Sequence, residues 1–193
     1  MKGEPMLPEQ IKNFREVVTL RDGVYVLIRP IVKEDCKHLE ELFSPLSNED
    51  LRVFRQNVKD AEVVQSWCQN LNYDEVLPAI ALVKDRAVGL VTLHFFHGAR
   101  RHMAEVRIFL AKDFRKRGLG TKMIRVAIDL ARKQGLHILI GEILADQTKV
   151  IRAFEQLGLK VQCTLEDFFM YPDGDCADVV FMVMQLKPKV EEF

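Results

Sequence analysis

Cysteine is scarce in this sequence, and its four residues are widely scattered, at Cys36, Cys68, Cys163 and Cys176. There is no C-x-x-C pair, and no cluster of histidines accompanies any of these cysteines. A structural zinc site requires such paired or clustered ligands, so no metal site is expected. Isolated thiols also predict no disulfide framework, which is typical of a protein kept in the reducing cytoplasm.

Net charge is lacking as well, because 28 lysines and arginines are balanced by 28 aspartates and glutamates. This balance favours neither nucleic acid nor an anionic membrane surface as a partner. No apolar run is long enough to span a bilayer, and residues 1–5 lack the apolar region of a signal peptide. A cytoplasmic protein is therefore expected.

Repeats, low-complexity segments and linkers are absent too, so residues 1–193 are predicted to form one domain. Residues 1–19 form an N-terminal extension in this prediction, with a short helix from Glu9 to Val18. Seven strands are predicted, at Gly23–Ile31, Pro78–Lys84, Val88–Phe96, Met103–Leu110, His137–Leu144, Leu159–Cys163 and Asp178–Leu186. Helices are predicted at Lys33–Phe43, from a Ser47–Asp50 capping box through Leu51, Phe54 and Val58, at Ala61–Leu71, after Gly120, and within Asp146–Leu159.

The segment from Ala104 to Gly135 carries the clearest functional signal. A β-branched and aromatic strand ends at Leu110, and an amphipathic helix follows a short basic loop, Arg115-Lys116-Arg117-Gly118-Leu119-Gly120. Glycines there allow positive φ and close approach of a ligand, and the first amides of the next helix point outward unpaired. With the helix dipole, these amides predict a site for a phosphate or pyrophosphate.

Local charge agrees with that prediction. Between residues 100 and 125 nine basic residues face only two acidic ones, Glu105 and Asp113. The loop is not a dinucleotide fingerprint, because Gly118 and Gly120 supply two of the three required glycines. It also lacks the G-K-[ST] ending of a P-loop.

Two motifs together resemble the GNAT N-acetyltransferase superfamily. The first is Arg115-x-x-Gly118-x-Gly120 between a strand and a helix, and the second is the segment Asp146–Leu159, DQTKVIRAFEQLGL. The resemblance implies an α/β (α+β) fold with a mixed central sheet of about seven strands, helices on both faces, and a splayed parallel strand pair that binds acyl-CoA. It implies that the donor is acetyl-CoA, with no metal, bound by Ile108, Phe109, Leu110, Arg115, Lys116, Arg117, Gly118, Leu119, Gly120, Thr121, Gln147 and Phe154. The loop amides would hold the pyrophosphate, and the backbone edge of residues 108–110 would pair with pantetheine.

The early helices and the strand segment Leu27–Pro30 resemble the start of the GNAT domain in Pat-type protein lysine acetyltransferases. In GNAT enzymes this region forms one wall of the acceptor groove, so Phe54, Arg55 and Trp67 are candidates for acceptor contact. Ordinary helix packing for the two aromatic residues, and solvation for the arginine, is the alternative.

Glu105 is the candidate general base, because an amine must lose a proton before it attacks a thioester. It interrupts an apolar strand ten residues before Arg115, where Pat-type enzymes carry a glutamate beside the acetyl group. Burial among apolar neighbours would raise its pKa toward the working range. Pairing with Arg107 or a cross-strand arginine is the structural alternative. His94, His97 and His102 are competing bases.

The second motif departs from the common GNAT pattern at two positions. Gln147 stands where many members have asparagine, and its side chain still suits pantetheine amides. Phe154 stands where many members have a tyrosine general acid, and a phenyl ring donates no proton. A thiolate is a good enough leaving group to depart unassisted, and Phe154 can equally be a helix core residue.

Three functions remain open from the sequence. The first is an acetyl-CoA-dependent N-acetyltransferase that acts on a primary amine, with a protein lysine as acceptor if the Pat resemblance extends to substrate. The second is the same chemistry on a small-molecule amine. The third is a non-catalytic acyl-CoA-binding or sensing module, because of Phe154. Acetyl-CoA and the amine acceptor are the expected partners, and a homodimer is left open.

Overall fold

The computed structural model describes residues 6, 8–51, 54–171 and 173–186. Eight strands form one sheet, namely β1 Glu16–Thr19, β2 Tyr25–Pro30, β3 Val76–Val83, β4 Arg86–Phe95, β5 Met103–Leu110, β6 Ile138–Leu144, β7 Lys160–Met170 and β8 Cys176–Gln185. The helices are α1 Pro8–Lys12, α2 Cys36–Phe43, α3 Asn48–Leu51, α4 Ala61–Gln69, α5 Leu119–Lys133 and α6 Thr148–Gln156. No helix in these described ranges is long and apolar enough to cross a bilayer.

The sheet is mixed, and its strand order is β1-β2-β3-β4-β5-β6-β8-β7. β1 and β2 are antiparallel, as are β2 and β3, β6 and β8, and β7 and β8. β4 and β5 are antiparallel too, since the amide of Phe96 donates to the carbonyl of Met103 and that of Ala111 to Val88. β5 and β6 run parallel, as a strand-helix-strand connection requires. The predicted α/β fold with a mixed sheet is confirmed, with eight strands rather than about seven.

Backbone contacts divide the chain into two compact units. The first contains the described residues of 8–91 and 108–123, and the second those of 92–107 and 124–186, with Met6. β4, β5 and α5 contribute residues to both units. The prediction of a single domain stays a prediction.

The parallel strands β5 and β6 are paired over only part of their length. Their paired residues begin at Met103 and Ile138 and end at Glu105 and Ile140. β5 nevertheless continues to Leu110, and β6 continues to Leu144. Pairing of the two strands therefore ends at Glu105 and Ile140, and the predicted splay that binds acyl-CoA stays a prediction.

Residues 16–19 form β1, so the predicted helix from Glu9 to Val18 is wrong beyond Lys12. Val18 is buried while Val17 is 64% exposed, which is the alternation of a strand with one covered face. The hairpin to β2 is made possible by Gly23, whose φ is 82°. This part of the predicted N-terminal extension therefore belongs to the sheet, while residues 1–5 and 7 lie outside the described residues.

Two other boundaries differ from the sequence predictions. The Ser47–Asp50 capping box is present, with reciprocal hydrogen bonds of 3.2 and 2.9 Å, but α3 ends at Leu51. Residues 52–53 lie outside the described part, and Phe54 to Val58 are not helical. β7 extends to Met170, because register shifts and a φ of 50° at Asp167 let residues 164–170 stay paired with β8.

The second unit illustrates how the helices are seated. Phe154 of α6 is 3% exposed, and a Cβ built on Gly141 of β6 would lie 3.0 Å from its ring. Glycine at this strand position thus lets α6 approach the sheet closely. In the first unit, Gly89 of β4 plays the same part, because a Cβ there would lie 2.7 Å from Met123 Sδ of α5.

Candidate functional site

The loop after β5 has the backbone geometry of an anion site. φ is positive at Lys116, at 63°, and at Gly118, at 86°, but not at Arg117 between them. Alternating signs of φ turn successive amides toward one concavity, a conformation that binds anions. A positive φ at a lysine is uncommon, so the loop adopts this shape at a cost in backbone energy.

Helix α5 begins directly after this concavity. The amide of Lys122 donates to the carbonyl of Gly118 at 3.3 Å, which is the first hydrogen bond of the helix. The amides of Leu119, Gly120 and Thr121 precede that bond and are the free donors of the first turn. Their positions and the positive end of a 15-residue helix fit a phosphate group.

Gly120 is needed for close packing at the start of the helix. A Cβ built on it would lie 3.3 Å from Leu110 Cδ1 and 3.9 Å from Ile108 Cδ1. Those two side chains belong to the end of β5, which is half-buried. The first turn of α5 is therefore seated against the strand residues that are predicted to meet pantetheine.

Ion pairs fasten the segment that leads into the loop. Lys112 Nζ lies 2.7 Å from Asp50 Oδ2 of α3, and Arg86 donates to both carboxylate oxygens of Asp113, at 2.6 and 2.9 Å. The hydrogen bond from Lys112 lowers the pKa of Asp50, and that from Arg86 lowers the pKa of Asp113. Both carboxylates therefore stay ionised to a lower pH than an unpaired aspartate would.

The guanidinium of Arg117 contacts other residues of the protein instead of extending into solvent. Its Nε lies 2.6 Å from Asp22 Oδ2 in the turn between β1 and β2, and its guanidinium lies over the ring of Phe114, 4.3 Å from the centroid. Desolvation acts to raise the pKa of Asp22, but the hydrogen bonds from Arg117 and from the amide of Val24 lower it on balance. The side chain of Arg117 therefore positions the loop. Its predicted phosphate contact would be made by its backbone amide.

Arg115 and Lys116 are both exposed. Arg115 Nε donates to the carbonyl of Leu110 at 3.2 Å, so this side chain bridges the loop to the end of β5. One nitrogen of a guanidinium is engaged in that bond, and the other two still carry donors. Arg115 can hold the loop and contact an anion at the same time.

The aromatic residues that were candidates for acceptor contact pack around Phe43. Ring centroids of Phe54 and Trp67 lie 5.6 and 6.2 Å from that of Phe43, and Phe109 of β5 lies 5.3 Å from Phe54. All but Phe43 are half-buried, and Arg55 is exposed. Packing accounts for the aromatic positions, and their contact with an acceptor stays a prediction.

In the second unit, Glu105 is a buried carboxylate, 5% exposed. Arg107 Nε and Nη2 donate to its two oxygens, both at 2.7 Å. The alternative pairing with Arg107 is therefore present, although inside the protein rather than at its surface. This pairing does not decide whether Glu105 also takes a proton from an amine, and the role of base stays a prediction.

The competing histidines lie in the same unit. His94 Nε2 lies 2.9 Å from Thr92 Oγ1, and His97 is exposed at the turn between β4 and β5. His102 is half-buried, and its ring lies edge-on to that of His137 at 5.7 Å. None of these contacts assigns a base.

The second motif is split between a helix cap and the core. Gln147 is the N-cap of α6 and half-buried. Its side-chain amide makes no capping hydrogen bond and can be offered to a ligand, whereas its backbone amide donates to the carbonyl of Leu144 at 2.9 Å. Phe154 packs against Gly141 as a core residue. Its predicted contact with acyl-CoA remains a prediction.

Two residues near the loop could not be found by motif. Arg21 and Asp22 lie in the turn between β1 and β2; Asp22 is bonded to Arg117 of the loop, and Arg21 lies beside Gly118. The pair Asp22-Gly23 marks a turn in the sequence, but only pairing of β1 in the sheet places it beside Gly118.

Comparisons with known proteins agree with this geometry. The model of the Acetyltransferase (GNAT) family matches residues 39–159, more than half of the chain. The L-amino acid N-acyltransferase MnaT of Escherichia coli (strain K12) is 23% identical over 170 residues, which cover 85% of this chain and 96% of that protein.

Two solved structures share the fold. The GNAT domain of S. lividans PAT has a TM-score of 0.74 and 21% identity, covering 93% of this chain and 99% of that one. The putative acetyltransferase yncA from Salmonella typhimurium, solved with its cofactor acetyl-CoA, has a TM-score of 0.74 and 20% identity, covering 86% and 96%. The chain therefore belongs to the acetyltransferase (GNAT) family and is an N-acetyltransferase.

Proposed function

We propose that the protein transfers an acetyl group from acetyl-CoA to a primary amine by direct attack in a ternary complex. The observation that carries this proposal is the loop of residues 115–120, where alternating φ signs precede the free amides of α5. This backbone suits the pyrophosphate of a CoA thioester. The end of the β5–β6 pairing at Glu105 supports it, because the rest of β5 then has backbone groups that β6 does not use and that pantetheine could pair with.

The chemistry needs few groups from the protein. The protonated acceptor amine loses a proton to Glu105, and the freed lone pair attacks the thioester carbon. The nitrogen of the tetrahedral intermediate then releases a second proton to solvent, and the intermediate collapses to the amide as the carbon–sulfur bond breaks. The products are an amide and the CoA thiolate, which takes a proton from solvent because Phe154 cannot supply one. Arg107 holds the carboxylate of Glu105 in place for the first step.

A free amino acid is the first acceptor class to test. The name of the Escherichia coli relative states an L-amino acid acceptor, and its similarity extends over most of both chains. A protein lysine is the second class, supported by the structural similarity to the GNAT domain of PAT.

Transfer from labelled acetyl-CoA to a panel of L-amino acids and lysine-bearing proteins tests the proposal. We expect label in the amine fraction with at least one acceptor, together with release of one free thiol per amide formed. CoA binding without transfer to any acceptor would instead favour the non-catalytic sensing module.

Arg115→Ala is expected to weaken acetyl-CoA binding only moderately, by about 1 to 3 kcal/mol, because the loop amides remain. Calorimetric titration measures the change. Arg132→Ala is the matched control, since Arg132 is also exposed and lies in the last turn of α5. Equal affinities of the two variants would contradict a phosphate contact by Arg115.

The homodimer also stays a prediction, and β7 is the strand on which it can be tested. β7 lies at one edge of the sheet, and its Phe168 and Met170 are 50% and 74% exposed. An edge strand with exposed apolar side chains is suited to pairing with a second copy. Met170→Asp is expected to dissociate a dimer in sedimentation velocity, whereas Val17→Asp on the other edge strand should not; a monomeric wild type would contradict the prediction.

A further inference from the structure

Arg21 lies beside Gly118 in the loop of residues 115–120, which we call the phosphate loop. A Cβ built on Gly118 would be 3.6 Å from Arg21 Nε and 3.7 Å from its Cγ, which is van der Waals contact. Gly118 is the residue with φ of 86° that closes the anion concavity. A second cationic side chain, from a different part of the chain, is thus held beside the predicted phosphate position.

The turn that carries Arg21 is rigidly attached on both sides. Its hairpin is closed by hydrogen bonds from Leu20 N to Val24 O at 2.8 Å and from Gly23 N to Leu20 O at 3.0 Å. The next residue, Asp22, is bonded to Arg117 of the loop. Leu20 is buried, at 3% exposure. These contacts keep Arg21 near Gly118, and none of them uses the guanidinium of Arg21.

The neighbouring arginines are used differently. Arg117 is bound to Asp22 and stacked on Phe114, and Arg115 donates to the carbonyl of Leu110. Among the contacts within the described ranges, Arg21 has no hydrogen bond or ion pair and is exposed. A guanidinium presents five donors in a fork that matches phosphate oxygens.

We propose that Arg21 binds a phosphate group of the acyl-CoA held at residues 115–120, so that the hairpin of β1 and β2 completes the cofactor site. This inference rests on the proposed function. The phosphate is either the pyrophosphate or the 3′-phosphate of CoA, which share the oxyanion chemistry that Arg21 recognises. The Asp22–Arg117 pair positions Arg21, because it fixes the turn against the loop.

Calorimetric titration of CoA and of 3′-dephospho-CoA into wild type, Arg21→Ala, Arg21→Lys and the control Arg132→Ala tests the inference. We expect Arg21→Ala to weaken CoA binding by about tenfold or more, Arg21→Lys to restore part of it, and Arg132→Ala to match wild type. Melting temperatures of all variants should agree, because Arg21 is exposed.

The two ligands identify the phosphate. If Arg21→Ala binds both CoA and 3′-dephospho-CoA more weakly than wild type does, Arg21 contacts the pyrophosphate. If only the affinity for CoA falls, Arg21 contacts the 3′-phosphate. Unchanged affinity of Arg21→Ala for both ligands, with wild type binding normally, would overturn the inference alone. Failure of the wild type to bind CoA would overturn the proposed function and the inference with it.

Discussion

Glu105→Gln is expected to lower kcat by about 100-fold or more while leaving the affinity for acetyl-CoA unchanged. Glutamine has nearly the same shape as glutamate, but it cannot accept the proton of the acceptor amine. The phosphate loop is untouched by the change. The ascending limb of the pH profile of kcat should lose its carboxylate component in the variant.

The ion pair with Arg107 supplies a matched control. Glu105→Gln and Arg107→Gln both break the pair, but only the first removes the carboxylate. Each variant should lose about 1 to 3 kcal/mol of stability, as expected for a charge-assisted hydrogen bond. If Glu105 is the base, Arg107→Gln should keep a much larger share of kcat per folded molecule.

Rates and melting temperatures measured on the same preparations separate these roles. Two destabilised variants that both turn over within a few-fold of wild type would show that Glu105 is structural. The search for a base would then move to His94, or to a mechanism in which the acceptor arrives neutral.

Gly118→Val is expected to abolish acetyl-CoA binding. A β-branched residue does not tolerate φ of 86°, so the backbone of the loop must rotate and its amides no longer converge. The loss should exceed that of Arg115→Ala, because several amide donors are displaced together. Gly120→Val should also weaken binding, because its side chain would press on Leu110.

Gly98→Val is the control for backbone strain. Gly98 also has positive φ, at 62°, and open space around it, in the turn between β4 and β5. Both variants should therefore lose similar stability, about 1 to 2 kcal/mol, but only Gly118→Val should lose CoA affinity. Calorimetry and thermal melting on both proteins provide the comparison, and equal affinities would sink the assignment of the loop.

The hydrophobic pattern of the sequence predicted β5, the basic loop and α5 well. The strand Met103–Leu110 has the predicted bounds, and α5 begins at Leu119, within the predicted basic loop. The sequence of each element is enough to predict it, because β5 is a β-branched and aromatic run, α5 is amphipathic, and the loop between them contains two glycines. The same glycines predict the anion site, because positive φ and free amides are local properties of the backbone.

Elements that depend on distant partners were predicted less well. β1 is only four residues long, and it is a strand because Val18 pairs with Val26 of β2. The stretch after Cys163 is interrupted by Glu166 and Asp167 and was not predicted as a strand, yet pairing with β8 extends β7 to Met170. Arg21 and Asp22 were missed for the same reason, since tertiary contacts alone place them at the loop.

Amide chemical shifts of residues 116–121 during a titration with acetyl-CoA test the central claim most directly. A phosphate bound at the loop accepts hydrogen bonds from these amides, so their proton resonances should move downfield and saturate with the ligand. Gly98, in a turn with similar φ, provides an internal reference that should not shift. Saturating shifts elsewhere in the protein, with the resonances of residues 116–121 unchanged, would contradict the assignment of this loop as the acyl-CoA site.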